Sequence, residues 1–401
     1  MIAQAFITTS AVFLGMGLNY LFHFFMTRLL SPSLYGEISI LIGFLTIILV
    51  PTGSIQTVLT REIAKLEKRG NERVIVGLIR RYLRSAFLVG LTIALVLFSS
   101  SYMIAKIFKD DQLISSIQLL SLGIPFLFLL PIFKAYYQGR EKVFTLSGIL
   151  AVEPLIKLVF GVGLVLIGFG LSGATLSLIA GPIILVFLLL PRTIKMTSFP
   201  NYSIKLKKSF FLILLTSISL MIFFYLDLFF VRYYLGSEQA GYYNVASITS
   251  KVLSYATGGV VLVFLPKSSK LSIKKERGKI KTLLLKSIAF ITPIFIVFVL
   301  FPKEIISIFY TEKYLFALGS FTILTFGMFI FSIFQILLSF FWSQNSERFP
   351  LVLSITATLI DFLLLNYFIP IKGIEGAAIA TTLSSLVFLL PSIFVVRGML
   401  I

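Results

Sequence analysis

The sequence predicts an all-α integral membrane protein, with about twelve transmembrane helices in two pseudo-symmetric six-helix lobes. Three observations predict it. Apolar runs of about 20 residues, each able to cross roughly 30 Å of hydrocarbon, recur from end to end. The chain is 58% hydrophobic, with 42 Phe in 401 residues. That is more apolar surface than one soluble core can hide. Short motifs of the first half also return in the second, displaced by 203 to 206 residues.

In order, the first-half spans fall near 4–27, 37–60, 85–105, 113–134, 144–168 and 172–191. The second-half spans fall near 208–231, 241–265, 286–301, 314–342, 350–369 and 374–396. The ninth is short and interrupted by Pro293. Between the first two lies Arg28-Leu29-Leu30-Ser31-Pro32-Ser33-Leu34-Tyr35-Gly36. Pro32 and Gly36 break helices there, one by sterics and one by flexibility.

Arg232 to Gly241 is a second copy, laying Leu235 on Leu30 and Gly241 on Gly36. Thr52-Gly53 falls on Thr257-Gly258, Gln138-Gly139 on Gln344-Asn345, and Gly170 to Ala174 on Gly373 to Ala377. Six spans per copy is an even number, so the copies are parallel and related by an axis along the membrane normal. The expected division is an N-lobe at 1–195 with helices 1–6, a cytoplasmic linker at 196–206, and a C-lobe at 207–401 with helices 7–12.

The net charge of +19 would suggest nucleic acid in a soluble protein. In this class it marks loops facing an anionic leaflet, and no nucleic-acid partner is expected. The even loops carry the dense runs, from Arg61 to Arg84 and from Lys267 to Lys286, with Lys134, Arg140 and Lys142 between them. The odd loops carry only Arg28, Lys106, Lys109, Arg232, Lys303, Lys313 and Lys372. This places the chain in the cytoplasmic membrane with both termini inside. No cleavable signal peptide is expected, because no Lys or Arg precedes Arg28.

Enzyme chemistry finds few footholds. Cysteine is absent, and the single histidine, His23, is expected to pack rather than react. No metal-ligand spacing occurs. Gly278-Lys279 is followed by Ile280 and lacks the rest of a nucleotide-binding loop.

Polar residues inside spans are the signal for transport. One charge at mid-bilayer costs about 2.5–3.5 kcal/mol on insertion scales, so such groups should face a wet cavity or one another. Lys157 and Lys251 are candidates for an anionic substrate, with Arg28, Arg232, Asn19 and Gln56 along the pathway. Arg28 and Arg232 serve equally as interfacial anchors or as release-side phosphate contacts. Glu153 and Lys157 stand four apart and can pair on one helix face. Asp227 can pair with Lys251 or Arg232. Asp227, Asp361 and Glu153 are the candidates for ion coupling, and Asp361 falls near Glu153 when the halves are overlaid. Arg61, Arg80, Arg81 and Arg84 either dock anionic lipid or gather a diphosphate at the cytoplasmic mouth, which the arginine fork suits.

The Arg-Leu-Leu-Ser-Pro-x-x-Tyr-Gly motif at 28–36, the six-plus-six spans and the basic cytoplasmic loops resemble the polysaccharide-repeat flippases of the Wzx type. These belong to the multidrug/oligosaccharidyl-lipid/polysaccharide exporter superfamily. The resemblance implies two six-helix lobes in a V of the MATE kind. It also implies a flippase moving a polyprenyl-diphosphate-linked oligosaccharide from the cytoplasmic to the outer leaflet by alternating access. The partners it implies are the lipid-linked glycan, membrane lipids and glycan-assembly enzymes. No cofactor is expected, apart from Na+ or H+ coupling. A cation-coupled multidrug exporter of the same fold is the alternative. A membrane glycan polymerase is a weaker one, because every odd loop is only about a dozen residues or fewer.

Overall fold

A computed structural model describes residues 2–193, 202, 204, 208–268, 273–344 and 346–400. Among them every regular element is helical. The chain divides into two units, Met1–Leu206 and Lys207–Ile401. Most of the expected linker at 196–206 lies outside the described residues. Its Tyr202 and Ile204 pack on the hydrophobic core of the first unit.

The first unit contains α1 (Ile2–Leu29), α2 (Pro32–Lys68), α3 (Glu72–Phe108), α4 (Gln112–Gly139), α5 (Val143–Leu164) and α6 (Gly170–Thr193). Ser31 caps α2 by accepting from the Leu34 amide at 3.3 Å, and Pro32 sits in the first turn, where its missing donor costs nothing. Helix α4 is the centre of the unit, packed by α2, α3 and α6, while α1 lies along α5.

The second unit contains α7 (Lys208–Leu235), α8 (Ser237–Ser250), α9 (Val252–Ser268), α10 (Ile273–Leu300), α11 (Pro302–Phe309), α12 (Leu318–Ser343) and α13 (Arg348–Leu400). Gly236, at φ 87°, makes the break that Ser31-Pro32 makes in the first unit. Helix α12 is central here, packed by α8, α9 and α13, and α7 lies along α13. Each unit therefore centres on its fourth span and pairs its first with its fifth.

Nine helical stretches among the described residues are long and apolar enough to cross a membrane. Two of them, Val143–Leu190 and Arg348–Met399, have 48 and 52 residues, about twice what one crossing needs. Both fold back at a glycine. Gly170 has φ 48° and ψ −127°, and Gly373 has φ 59° and ψ −138°, a region essentially closed to residues with a Cβ. Three residues on, Gly173 lies against Leu164 and Gly376 against the Phe368 carbonyl, with no room for a side chain. The Gly-x-x-Gly-Ala match is thus one turn built twice. Dividing both stretches there, and adding the α8–α9 pair broken at Lys251, yields the twelve expected spans.

Some expected boundaries need correction. The fourth span does not stop at 134 but runs as helix to Gly139, so Lys134 is not a loop cation. Pro131 and the charge ended the apolar count, yet Ala135, Tyr136 and Tyr137 continue the buried face. The ninth span is not short, because α10 carries it back to Ile273.

Candidate functional site

The first unit has an open cavity of about 290 Å³ between α1, α4, α5 and α6. Its polar wall is made by Asn19, Lys134, Glu153 and Lys157, and Pro154 and Pro182 also line it. Sequence reasoning paired Glu153 with Lys157. Instead, Lys134 Nζ lies 2.7 Å from Glu153 Oε2, across α4 and α5. Lys157 donates to Asn19 Oδ1 at 3.0 Å and stands 4.3 Å from the centre of the Phe22 ring. Asn19 Nδ2 donates to the Gly15 carbonyl at 3.0 Å, which leaves its oxygen aimed at the lysine. Lysine and glutamate on successive turns of α5 thus find partners on different neighbouring helices. Two cations and one acid leave the wall net positive, and the amide and ring hold Lys157 without neutralising it. The second cation, Lys134, had been assigned to a loop.

Next to this wall, His23 is buried and its Nδ1 lies 3.0 Å from the Tyr35 hydroxyl. It packs edge-on between Phe22 and Tyr35, as expected for a lone histidine. Glu37, buried on α2, was not singled out, although an acid opening an apolar run was signal enough. Gln56 bonds weakly to Gln138 on α4 at 3.4 Å. Arg28 is half-buried, donates to the Phe24 carbonyl at 3.0 Å and covers the Phe24 ring.

The second unit places its charges differently. Asp227 on α7 is buried, accepting from the Tyr243 hydroxyl at 2.8 Å and from the Leu228 amide at 2.7 Å. Lys251 is buried at the α8–α9 break, where its amine donates to the Phe224 carbonyl between the rings of Phe224 and Tyr225, each 4.9 Å away. Asp361 on α13 is fully buried, and neither of its oxygens has a hydrogen-bond partner among the described residues. Its helix packs against α7, which carries Asp227. Arg232 is buried as well. Aromatic rings pack beside this cluster, with Phe223 stacked on Phe331 and edge-on to Phe388.

At the basic end of α2 and α3, Arg140 gathers Glu67 at 3.1 Å, Glu72 at 3.2 Å and the Tyr136 hydroxyl at 2.7 Å, tying both helices to α4. Tyr202 donates to Glu62, and that bond pushes its pKa above the ordinary tyrosine value. Arg61, Arg80, Arg81 and Arg84 are all exposed, but they do not share a face. Arg61 continues the face of α2 that carries Gly53 and Thr57. The other three continue the apolar face of α3.

Three likenesses to known proteins follow this geometry. A stretch of 165 residues is 34% identical to an uncharacterized membrane protein of Methanocaldococcus jannaschii, covering 39% of this chain and 32% of that protein. The matched stretch therefore spans about a third of that relative's length. Over 99% of this chain and 88% of the other, the fold matches the lipid II flippase MurJ with a TM-score of 0.77 at 18% identity. Over 97% of this chain and 98% of the other, it matches a multidrug resistance MATE family transporter of the MOP superfamily, also with a TM-score of 0.77, at 10% identity. At such identities these likenesses establish the fold. Residues 25–318 match the model of a family described as polysaccharide biosynthesis protein, and the chain belongs to that family, a multi-pass membrane protein on the fold of the MOP-superfamily transporters.

Proposed function

We propose that the protein is a flippase, moving a polyprenyl-diphosphate-linked oligosaccharide from the cytoplasmic to the outer leaflet by alternating access of its two units. The observation that carries this reading is the net-positive cavity of the first unit. Lys134 and Lys157 stand there within helices that cross the membrane, and such a wall is tolerable only if wet and useful only for an anion. A diphosphate is the anionic part of such a substrate, and the glycan would follow it through the polar space. No covalent chemistry is needed, so the protein acts as a carrier and not as an enzyme. An inside-negative potential would favour outward movement by about 4–5 kcal/mol per 100 mV for two negative charges.

Lys134→Ala and Lys157→Ala, reconstituted in vesicles with a fluorescent polyprenyl-diphosphate oligosaccharide, test the reading. Each should cut flipping by about tenfold or more, as expected when a charge-assisted contact worth ~1.5–3 kcal/mol is lost. Flipping at the unaltered rate in both variants would remove this cavity from the substrate path.

One observation favours a second reading, a cation-coupled multidrug exporter. The buried Asp361 beside Asp227 is where a proton or a sodium ion would reside. Export of a cationic dye that stops in Asp361→Asn, with no glycolipid flipping by the unaltered chain, would decide for it. If glycolipid moves and Asp361→Asn abolishes its dependence on a sodium or proton gradient, the same acids serve as the coupling site of the flippase.

A further inference from the structure

The arginines in the first third of α3 share a face with exposed apolar side chains. At about 100° per residue, Arg80, Arg81 and Arg84 lie within roughly 60° of one direction, shared by Leu88, Leu91, Leu95 and Tyr102. All four are exposed, at 52%, 38%, 61% and 67%. The face that packs on α4, with Gly90, Ala94, Leu97 and Ser101, is turned roughly 110° away. An exposed stripe of leucines on a membrane-spanning helix faces acyl chains. From Arg84 to the exposed Lys106 the helix rises about 33 Å, close to the hydrocarbon thickness of ~30 Å. Arg84 therefore lies at the edge of the hydrocarbon and Arg80 one turn beyond, about 6 Å deeper into the headgroup layer.

We propose that Arg80, Arg81 and Arg84 form a binding site for an anionic phospholipid, its phosphate held by the arginine pair one turn apart and its chains laid along Leu88, Leu91 and Leu95. Two guanidinium forks spaced i, i+4 suit the planar, multidentate grip a phosphodiester offers. Arg81 also donates to the carbonyl of Tyr202, which lies between α6 and α7, at 3.4 Å, so the bound headgroup sits against that residue. The exposed face of α2 makes the contrast. Gly53 and Thr57 lie above Arg61 there and offer acyl chains little to lie on. The site stands whatever the protein carries.

The test uses the whole chain in detergent with an equimolar mixture of dioleoyl phosphatidylglycerol and dioleoyl phosphatidylcholine, and retained lipid is counted by native mass spectrometry. The unaltered chain should prefer phosphatidylglycerol. Arg84→Gln should lower that preference about fivefold, and R80Q/R81Q/R84Q by on the order of a hundredfold. K65Q/K68Q/R69Q, which removes equal charge from the end of α2, should leave it intact. Added inorganic phosphate should not displace the lipid. Unchanged preference in Arg84→Gln, an equal loss in the α2 variant, or displacement by phosphate alone would each overturn the proposal. The single variant decides if the triple variant does not fold.

Discussion

The two units repeat one plan and charge it differently. In the first, α5 lies along α1 and Lys157 meets Asn19. In the second, α13 lies along α7 and carries the buried Asp361. Asp361 stands 204 residues after Lys157, between the displacements of 206 and 203 at the flanking Gln138/Gln344 and Gly170/Gly373 matches. That interpolation pairs Asp361 with Lys157, one turn from the Glu153 equivalence expected above. The surroundings differ as much as the charge. The cation borders an open cavity, whereas the acid is sealed beside stacked phenylalanines. Duplication thus preserves backbone geometry while the side chains at a matched position diverge into the cation of a cavity wall and a buried acid.

The largest expected effect breaks what the units share. Gly376→Val and Gly173→Val both force a side chain into the fold-back turn and should cost about 3 kcal/mol or more. Gly376 should suffer more, because its near neighbour is a backbone carbonyl that cannot swing aside. Thermal unfolding in detergent checks this, and equal tolerance of both variants would undo the claim of one turn built twice.

Lys134→Ala comes next. It strands Glu153 and should cost roughly 1–3 kcal/mol, most of it restored in Lys134→Ala/Glu153→Ala. No coupling in that double-mutant cycle would mean the pair contributes nothing to the first unit.

The two acids of the second unit should separate. Asp227→Asn weakens the bond from Tyr243 and should cost about 1–2 kcal/mol. Asp361→Asn loses no such bond and should be neutral or stabilising, with unfolding midpoints as the readout. If both fall alike, Asp361 is structural.

The smallest effect concerns Asn19→Ala, which removes the acceptor from Lys157 and should cost ~0.6 kcal/mol, typical of polar contacts between membrane helices. An effect on flipping well beyond that on stability would place Asn19 on the substrate path.

Much of the fold was legible because its determinants are local. A run of about 20 apolar residues reads as a crossing wherever it sits. Gly170 and Gly373 announce their turn because only glycine adopts it. The candidate site was legible only in part. Lys157, Asp227 and Asp361 stood out by their cost in hydrocarbon. Lys134 did not, because a charge near the end of an apolar run is easily taken for a loop. The arginines of α2 and α3 looked like one cluster, since spacing along the chain does not tell which face packs on a neighbour.

Residue order by itself determined the membrane class, the twelve crossings and the repeat, because hydropathy and backbone freedom act over a few turns of one helix. Only the tertiary structure decided that Glu153 takes Lys134, that Lys157 takes Asn19, and that Lys251 is capped by the Phe224 carbonyl. Each of those choices depends on which helices come within about 3 Å of one another. Packing of α1, α4 and α5, or of α7 with α8, sets that distance, and no spacing along a single helix encodes it.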